Sequence, residues 1–322
     1  MYARTRYFVI VSLLVLTVGL GAGLVAYYQG IPPGLGGQSG PDELRLLPKS
    51  SALVAYANVQ NVMSSDLRRR LLSVIPREGK GQQDLETATG INVERDIDRV
   101  VAGIVPGEDA SGQSTAALLL ARGRFDQVRI ESLMREHGAA IEQYKTSRLV
   151  VAPQGQGVSV AFLAPGLVAV GTASVVRAAV DLLAGGESVV TNAELMDRIR
   201  LVDAGDAWAV GRFDVLASRA KLPPHLAGQL PPITWLSVSG EVTDGIRATV
   251  RADTRDEASA TSLRDVVRGF VALAKMQSGS HPQLLALTNS VELGGTGTNV
   301  TLSLDVPAEV FDALMPRAQA PQ

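Results

Sequence analysis

Tyr7 to Tyr28, YFVIVSLLVLTVGLGAGLVAYY, runs for 22 residues without a charge. As a helix rising about 1.5 Å per residue it would span about 33 Å, enough for a hydrocarbon core about 30 Å thick. Arg4 and Arg6 precede the run, and no Lys or Arg follows until Arg45. The positive-inside rule therefore keeps the N-terminus in the cytoplasm and sends the rest across. Tyr7 stands at one end and Tyr27 and Tyr28 at the other, where amphipathic rings suit the two interfaces. A cleaved signal peptide is the alternative. It needs a shorter apolar core, about 7–15 residues, and a small-x-small cleavage site. Leu24-Val25-Ala26 is a poor site and Gly21-Ala22-Gly23 a weak one, so an uncleaved single-pass anchor is expected. Gly19 and Gly23 form GxxxG, which lets two helices approach closely, although glycine as filler explains the same match.

Residues 29–41, QGIPPGLGGQSGP, form a Gly- and Pro-rich linker that cannot pack a core. Behind it the composition is globular, with 46% hydrophobic and 19% charged residues in the whole chain. The two arginines before the run leave the outer body 28 positive against 32 negative charges. Five of the fourteen aromatics lie in the first 28 residues. A mildly acidic, aromatic-poor body lacks the basic patch and stacking rings that nucleic acid requires. Cysteine is absent, which excludes disulfides, thiolate nucleophiles and thiolate zinc sites.

Along the body, short strand patterns alternate with capped amphipathic helices. Strands are expected at 53–59, 100–105, 116–125, 140–151, 158–170, 206–213, 233–242, 246–252, 291–293 and 300–304. Asp126 can cap a helix, with Phe125 and Ile130 as its hydrophobic staple. Thr172 can cap another helix, and Thr191-Asn192-Ala193-Glu194 and Thr254-Arg255-Asp256-Glu257 have the capping-box form. Gly-Arg-Phe-Asp occurs at 123–126 and again at 211–214, each time where a strand ends. A hairpin, a cap and an amphipathic helix follow each copy, so two related units are expected. The fold class is α+β: an N-terminal transmembrane helix, then two related units of antiparallel sheet packed with helices. The expected divisions are anchor 1–28, linker 29–41, first unit 42–203, second unit 204–316 and tail 317–322.

Leu47-Pro48-Lys49-Ser50-Ser51-Ala52-Leu53-Val54 resembles the opening of anchored bacterial proteins in the domain-of-unknown-function 3352 group. Thr89-Gly90-Ile91-Asn92-Val93-Glu94-Arg95-Asp96-Ile97 is similar to the glycine-plus-acidic segment that precedes a strand in that group. The resemblance covers most of 44–316. It implies an extracytoplasmic bacterial protein and supplies no site residues. The expected location is the bacterial cytoplasmic membrane, crossed once, with the body in the periplasm or outside.

The chemistry-bearing patterns are sparse. No Gly-x-Ser-x-Gly elbow is present, and Gly79-Lys80 lacks the spacing of a phosphate loop. His137, His225 and His281 are far apart and have no zincin spacing. Glu94, Asp96 and Asp98 read as an acidic helix start paired with Arg95 and Arg99, in preference to a cation site. No catalytic, cofactor-binding or metal residue is assigned. The repeated motif supplies the ligand candidates Arg124, Asp126, Arg212 and Asp214; the plainer reading has Phe packing, Asp capping and Arg solvated. These features point to an anchored, non-catalytic envelope protein with a protein partner or a second copy of itself. A binder of lipid or another apolar ligand is the alternative, and a carboxylate-based hydrolase the remote one.

Overall fold

The computed structural model describes residues 40–65, 91–106, 115–152, 158–220, 231–242, 245–278 and 288–306. It is an α+β protein whose strands pair antiparallel throughout. The run Tyr7–Tyr28, with Tyr7, Gly19, Gly23, Tyr27 and Tyr28, lies outside the described residues. Among the described residues no helix is long and apolar enough to cross a membrane. Two units divide the described chain: 40–63 with 91–211, and 64–65 with 212–306.

In the first unit the strands are β1 (Leu53–Ala57), β2 (Ile97–Pro106), β3 (Thr115–Gly123), β4 (Ala140–Tyr144), β5 (Ser147–Val151), β6 (Ser159–Ala164), β7 (Leu167–Gly171) and β8 (Ala207–Arg212). Their order is β8-β1-β2-β3-β7-β6-β5-β4. Pairing of β8 with β1 from Ala207 to Gly211 keeps β8 with this unit, so the division falls after Gly211. Strand β2 starts at Ile97, earlier than its apolar run predicts. Asp98 and Arg99 behind buried Ile97 are polar, but Arg99 finds a cross-strand neighbour in Arg122 and an acid above them.

Side chains alternate across a strand, so register sorts residues into faces. One row crosses all eight strands: Trp208, Tyr56, Val101, Leu120, Ala169, Ala161, Leu149 and Glu142. Tyr56 and Trp208 stack with centroids 5.6 Å apart. Leu118, Leu120 and Leu149 are fully buried, each contributing about 2 kcal/mol. The helices of this unit are α1 (Val59–Ser64), α2 (Val93–Asp96), α3 (Gln127–Glu136), α4 (Ala173–Leu182) and α5 (Ala193–Ile199). Helix α3 lies against β4 and β5, where buried Glu131 accepts from Arg148 at 2.6 Å. Helix α4 packs on β3, β6 and β7, and its Arg177 donates to Glu142 at 2.5 Å.

The 3₁₀ turn Asp42–Leu46 places Glu43 inside this unit, 1% exposed. Arg99 Nη2 and Arg122 Nε reach its Oε1 at 3.1 and 2.5 Å. The two guanidiniums sit directly opposite each other on β2 and β3. Like charges so placed repel, and the buried carboxylate between them reverses the sign. Burial pushes the Glu43 carboxyl up, but the hydrogen bonds from Arg122 and Arg99 outweigh it and hold the group below the usual glutamate range.

The second unit has α6 (Phe213–Ala220), β9 (Ile233–Val242), β10 (Ile246–Thr254), α7 (Glu257–Ser278), β11 (Val291–Gly294) and β12 (Asn299–Val306). Its sheet order is β11-β12-β10-β9. The apolar side of the sheet meets α7 through Ala252, Ala260, Leu263 and Val300. Arg264 Nη2 donates to the carbonyls of Gly297 and Asn299 at 3.0 and 2.9 Å, tying α7 to the β11–β12 turn. Further along α7, Phe270, Leu273 and Met276 are exposed.

Neither expected capping box forms. At α5 the cap is Asn192, whose side chain accepts from Leu195 N at 3.2 Å, while Thr191 closes a 3₁₀ turn. At α7, Asp256 accepts from Ser259 N at 2.8 Å. Thr254 Oγ1 donates instead to the carbonyls of Asp256 and Thr298. Thr172 stands at the N-cap of α4 but makes no side-chain cap bond. Asn and Asp cap better than Thr, and each takes the place from a neighbouring threonine.

Candidate functional site

A cleft of about 560 Å³ opens where β3 ends and α3 begins. Ile91, Phe125 and Ile130 form its apolar part; Asp96, Arg124, Asp126 and Arg129 bring charge to it. Its backbone is set by glycine. Gly123 N donates to Gly166 O at 2.8 Å, and Arg124 N to Asp96 O at 2.5 Å. A Cβ on Gly123 would stand 2.2 Å from Asp96 O and 2.6 Å from Ile97 Cα, so no other residue fits there. Gly166 turns with φ of +70°, in the left-handed region that favours glycine.

Phe125 and Ile130 flank the helix start as a hydrophobic staple requires. Phe125 packs against the cluster of Ala57, Val59, Ile97, Val100 and Ala121. Asp126 caps α3: its Oδ1 accepts from Arg129 N at 3.0 Å. Asp96 closes the short helix α2. Its Oδ2 accepts from Asn92 N at 2.8 Å and its Oδ1 from Arg95 Nε at 3.1 Å. Burial pushes its carboxyl up, but the Arg95 and Asn92 hydrogen bonds, with the charges of Arg95 and Arg124, hold it below the usual aspartate range. Arg124 Nη2 donates to Arg95 O, and its Nε lies 4.0 Å from Asp96 Oδ1. The Arg129 guanidinium reaches no partner among the described residues, and neither does Asp126 Oδ2.

The four sequence candidates thus divide. Arg124 and Asp126 line one cleft. Arg212 and Asp214 bind each other as a fork, Nε to Oδ1 at 3.2 Å and Nη2 to Oδ2 at 2.7 Å. The hydrogen bond from Arg212 holds the Asp214 carboxyl below its usual range, with burial opposing and the Val215 N–H adding to it. Arg124 is exposed, as the reading of a solvated arginine has it, and it also reaches Arg95 and Asp96. Asp96 and Arg129 were missed as cleft residues. Asp96 looked like one of three helix-start acids, and the signal in Arg129 was only its place one turn behind a capping aspartate. Asp98 and Glu94 do not line the cleft.

Of the three histidines, His137 is described. It ends α3, with Nδ1 2.8 Å from Leu133 O. His225 and His281 lie outside the described residues. Among the described residues no three His, Cys, Asp or Glu converge to hold a metal.

No family model matches the chain. No curated protein matches it either. The chain is similar in fold to a solved structure of TP0453 (crystal form I). The TM-score is 0.50 at 11% identity, over 86% of this chain and 98% of that one. At that identity the likeness concerns the α+β fold alone.

Proposed function

We propose that the chain is a non-catalytic protein of the bacterial cell envelope, held at the membrane by Tyr7–Tyr28, that binds a protein partner through the Arg124–Asp126 cleft. The two units are read as variants of one plan, since Gly-Arg-Phe-Asp stands at the end of β3 and of β8 with a helix directly behind each. One observation carries the non-catalytic reading. Among the described residues every carboxyl with a displaced pKa, Glu43, Asp96, Asp181, Asp214 and Asp256, is displaced downward. General acid catalysis near neutral pH calls for a carboxyl displaced upward. Asp96 serves instead as an ionised structural partner, which leaves a charged, partly apolar surface suited to recognition. The four charged side chains in the lining also make the cleft a poor lipid pocket.

Photo-crosslinking tests this reading. Val128 is 79% exposed on α3, beside the cleft. The full chain with a benzophenone residue at Val128 is irradiated in its own membranes and the adducts are read by mass spectrometry. A reproducible protein adduct that disappears in an Arg124→Ala/Arg129→Ala variant is expected. Lipid adducts alone, or none, overturn the reading.

A further inference from the structure

We infer that the cleft between β3 and α3 takes an acidic peptide segment, a side-chain or terminal carboxylate flanked by apolar residues; this rests on the partner-binding reading above. The inference follows from counting what each polar group in the cleft has left to give. Both oxygens of Asp96 are occupied, Oδ1 by Arg95 Nε and Oδ2 by Asn92 N and Arg95 Nη2. Asp126 has Oδ1 committed to the α3 cap and Oδ2 available. On the basic side, Arg124 has Nη2 committed to Arg95 O and its Nε only loosely paired, leaving Nη1. The whole fork of Arg129 is unclaimed among the described residues.

Donors are therefore in surplus, and the ligand must be rich in acceptors. A guanidinium fork matches a planar carboxylate through two parallel hydrogen bonds. Among the described carboxylates of the cleft the acceptor left is Asp126 Oδ2, which suits an N–H donor. A peptide carries an amide N–H close to its carboxylate and satisfies both demands. A phosphate ester carries no such donor, and its second negative charge would face Asp96 and Asp126. The apolar part, Ile91, Phe125 and Ile130, gives a side chain next to the carboxylate a dry surface. A volume of about 560 Å³ holds a few residues and no folded element.

The test uses the full chain in nanodiscs and two matched libraries, acetyl-Xaa-Xaa-Glu-Xaa-Xaa-amide and the same with Gln at the centre. Glu peptides with apolar neighbours should be recovered about tenfold over their Gln counterparts. Arg129→Gln should abolish that preference without moving the thermal midpoint, because the Arg129 guanidinium has no partner to lose among the described residues. Equal recovery of the two libraries, or a preference unchanged in Arg129→Gln, overturns the inference. So does saturable inorganic phosphate binding that Arg129→Gln removes while the Glu preference is absent. A protein adduct at Val128 without a Glu preference would leave the partner reading standing and remove this one. A Glu preference without an adduct would do the reverse.

Discussion

Glu43 shows how much one residue can decide. Nothing around Asp42-Glu43-Leu44 in the sequence marks its glutamate as buried, yet it pairs with two arginines from strands that begin more than fifty residues later. Removing one partner from a buried ion group leaves unbalanced charge and costs about 3–5 kcal/mol. Because Arg122 is about a third exposed and partly screened, Glu43→Gln should destabilise by about 3 kcal/mol in urea unfolding at pH 7. Gly123 is decided just as locally. Gly123→Ala drives a methyl into the Asp96 carbonyl and should cost about 3 kcal/mol, the upper part of the overpacking range. Circular dichroism melts of both variants check these values. A Gly123→Ala protein as stable as wild type would mean that β2 and β3 can separate where their register shifts between Ile97 and Arg99.

At the scale of elements, local chemistry was legible where one residue type has one clear task. Asp126 caps α3 as its position before an amphipathic run predicts. Asp126→Ala should cost about 1 kcal/mol, and Asp126→Asn should retain most of it, since both residues accept from the N3 amide. Equal losses in the two variants would show that charge, not capping geometry, is what α3 uses. The capping boxes failed because two eligible residues stood side by side. The pattern Thr-Asn-Ala-Glu does not say whether Thr191 or Asn192 takes the cap, and the path of the chain out of the 3₁₀ turn chose Asn192. Strand β2 was read short for a related reason. Its opening, Ile97 with the polar Asp98 and Arg99, becomes a strand only because β3 offers a register that continues to Gly123.

For the whole molecule, the titrating groups act in one direction under acid. Glu43, Asp96, Asp181, Asp214 and Asp256 all have carboxyls below their ordinary values in the fold. A depressed carboxyl contributes stability in full above its unfolded pKa. That contribution falls away as pH drops through the ordinary range, near 4, and is gone below the folded value. The urea midpoint should therefore fall between pH 6 and pH 3. The gap between wild type and Glu43→Gln should narrow over the same interval. A gap that stays constant to pH 3 would mean that the Glu43 carboxyl titrates alike in the folded and unfolded chain. Most of the other acids lie near the surface, so added salt should weaken their share more than that of Glu43.

The sequence by itself determined most elements and their class: alternating apolar runs for strands and capped amphipathic runs for helices. These are short-range matters, settled by side-chain periodicity and backbone freedom within a few residues. It also singled out Arg124 and Asp126, through a repeated tetrapeptide. Only the tertiary structure decided what those residues meet. Asp96 comes within reach of Arg124 because β2 and β3 pair, and Glu43 lies between Arg99 and Arg122 because a 3₁₀ turn folds across the sheet. The two copies of Gly-Arg-Phe-Asp read alike, yet Arg212 closes on its own Asp214 while Arg124 turns to the short helix α2. Charges pair through space at a few ångströms whatever their separation along the chain, so their partners follow from the fold and not from the motif.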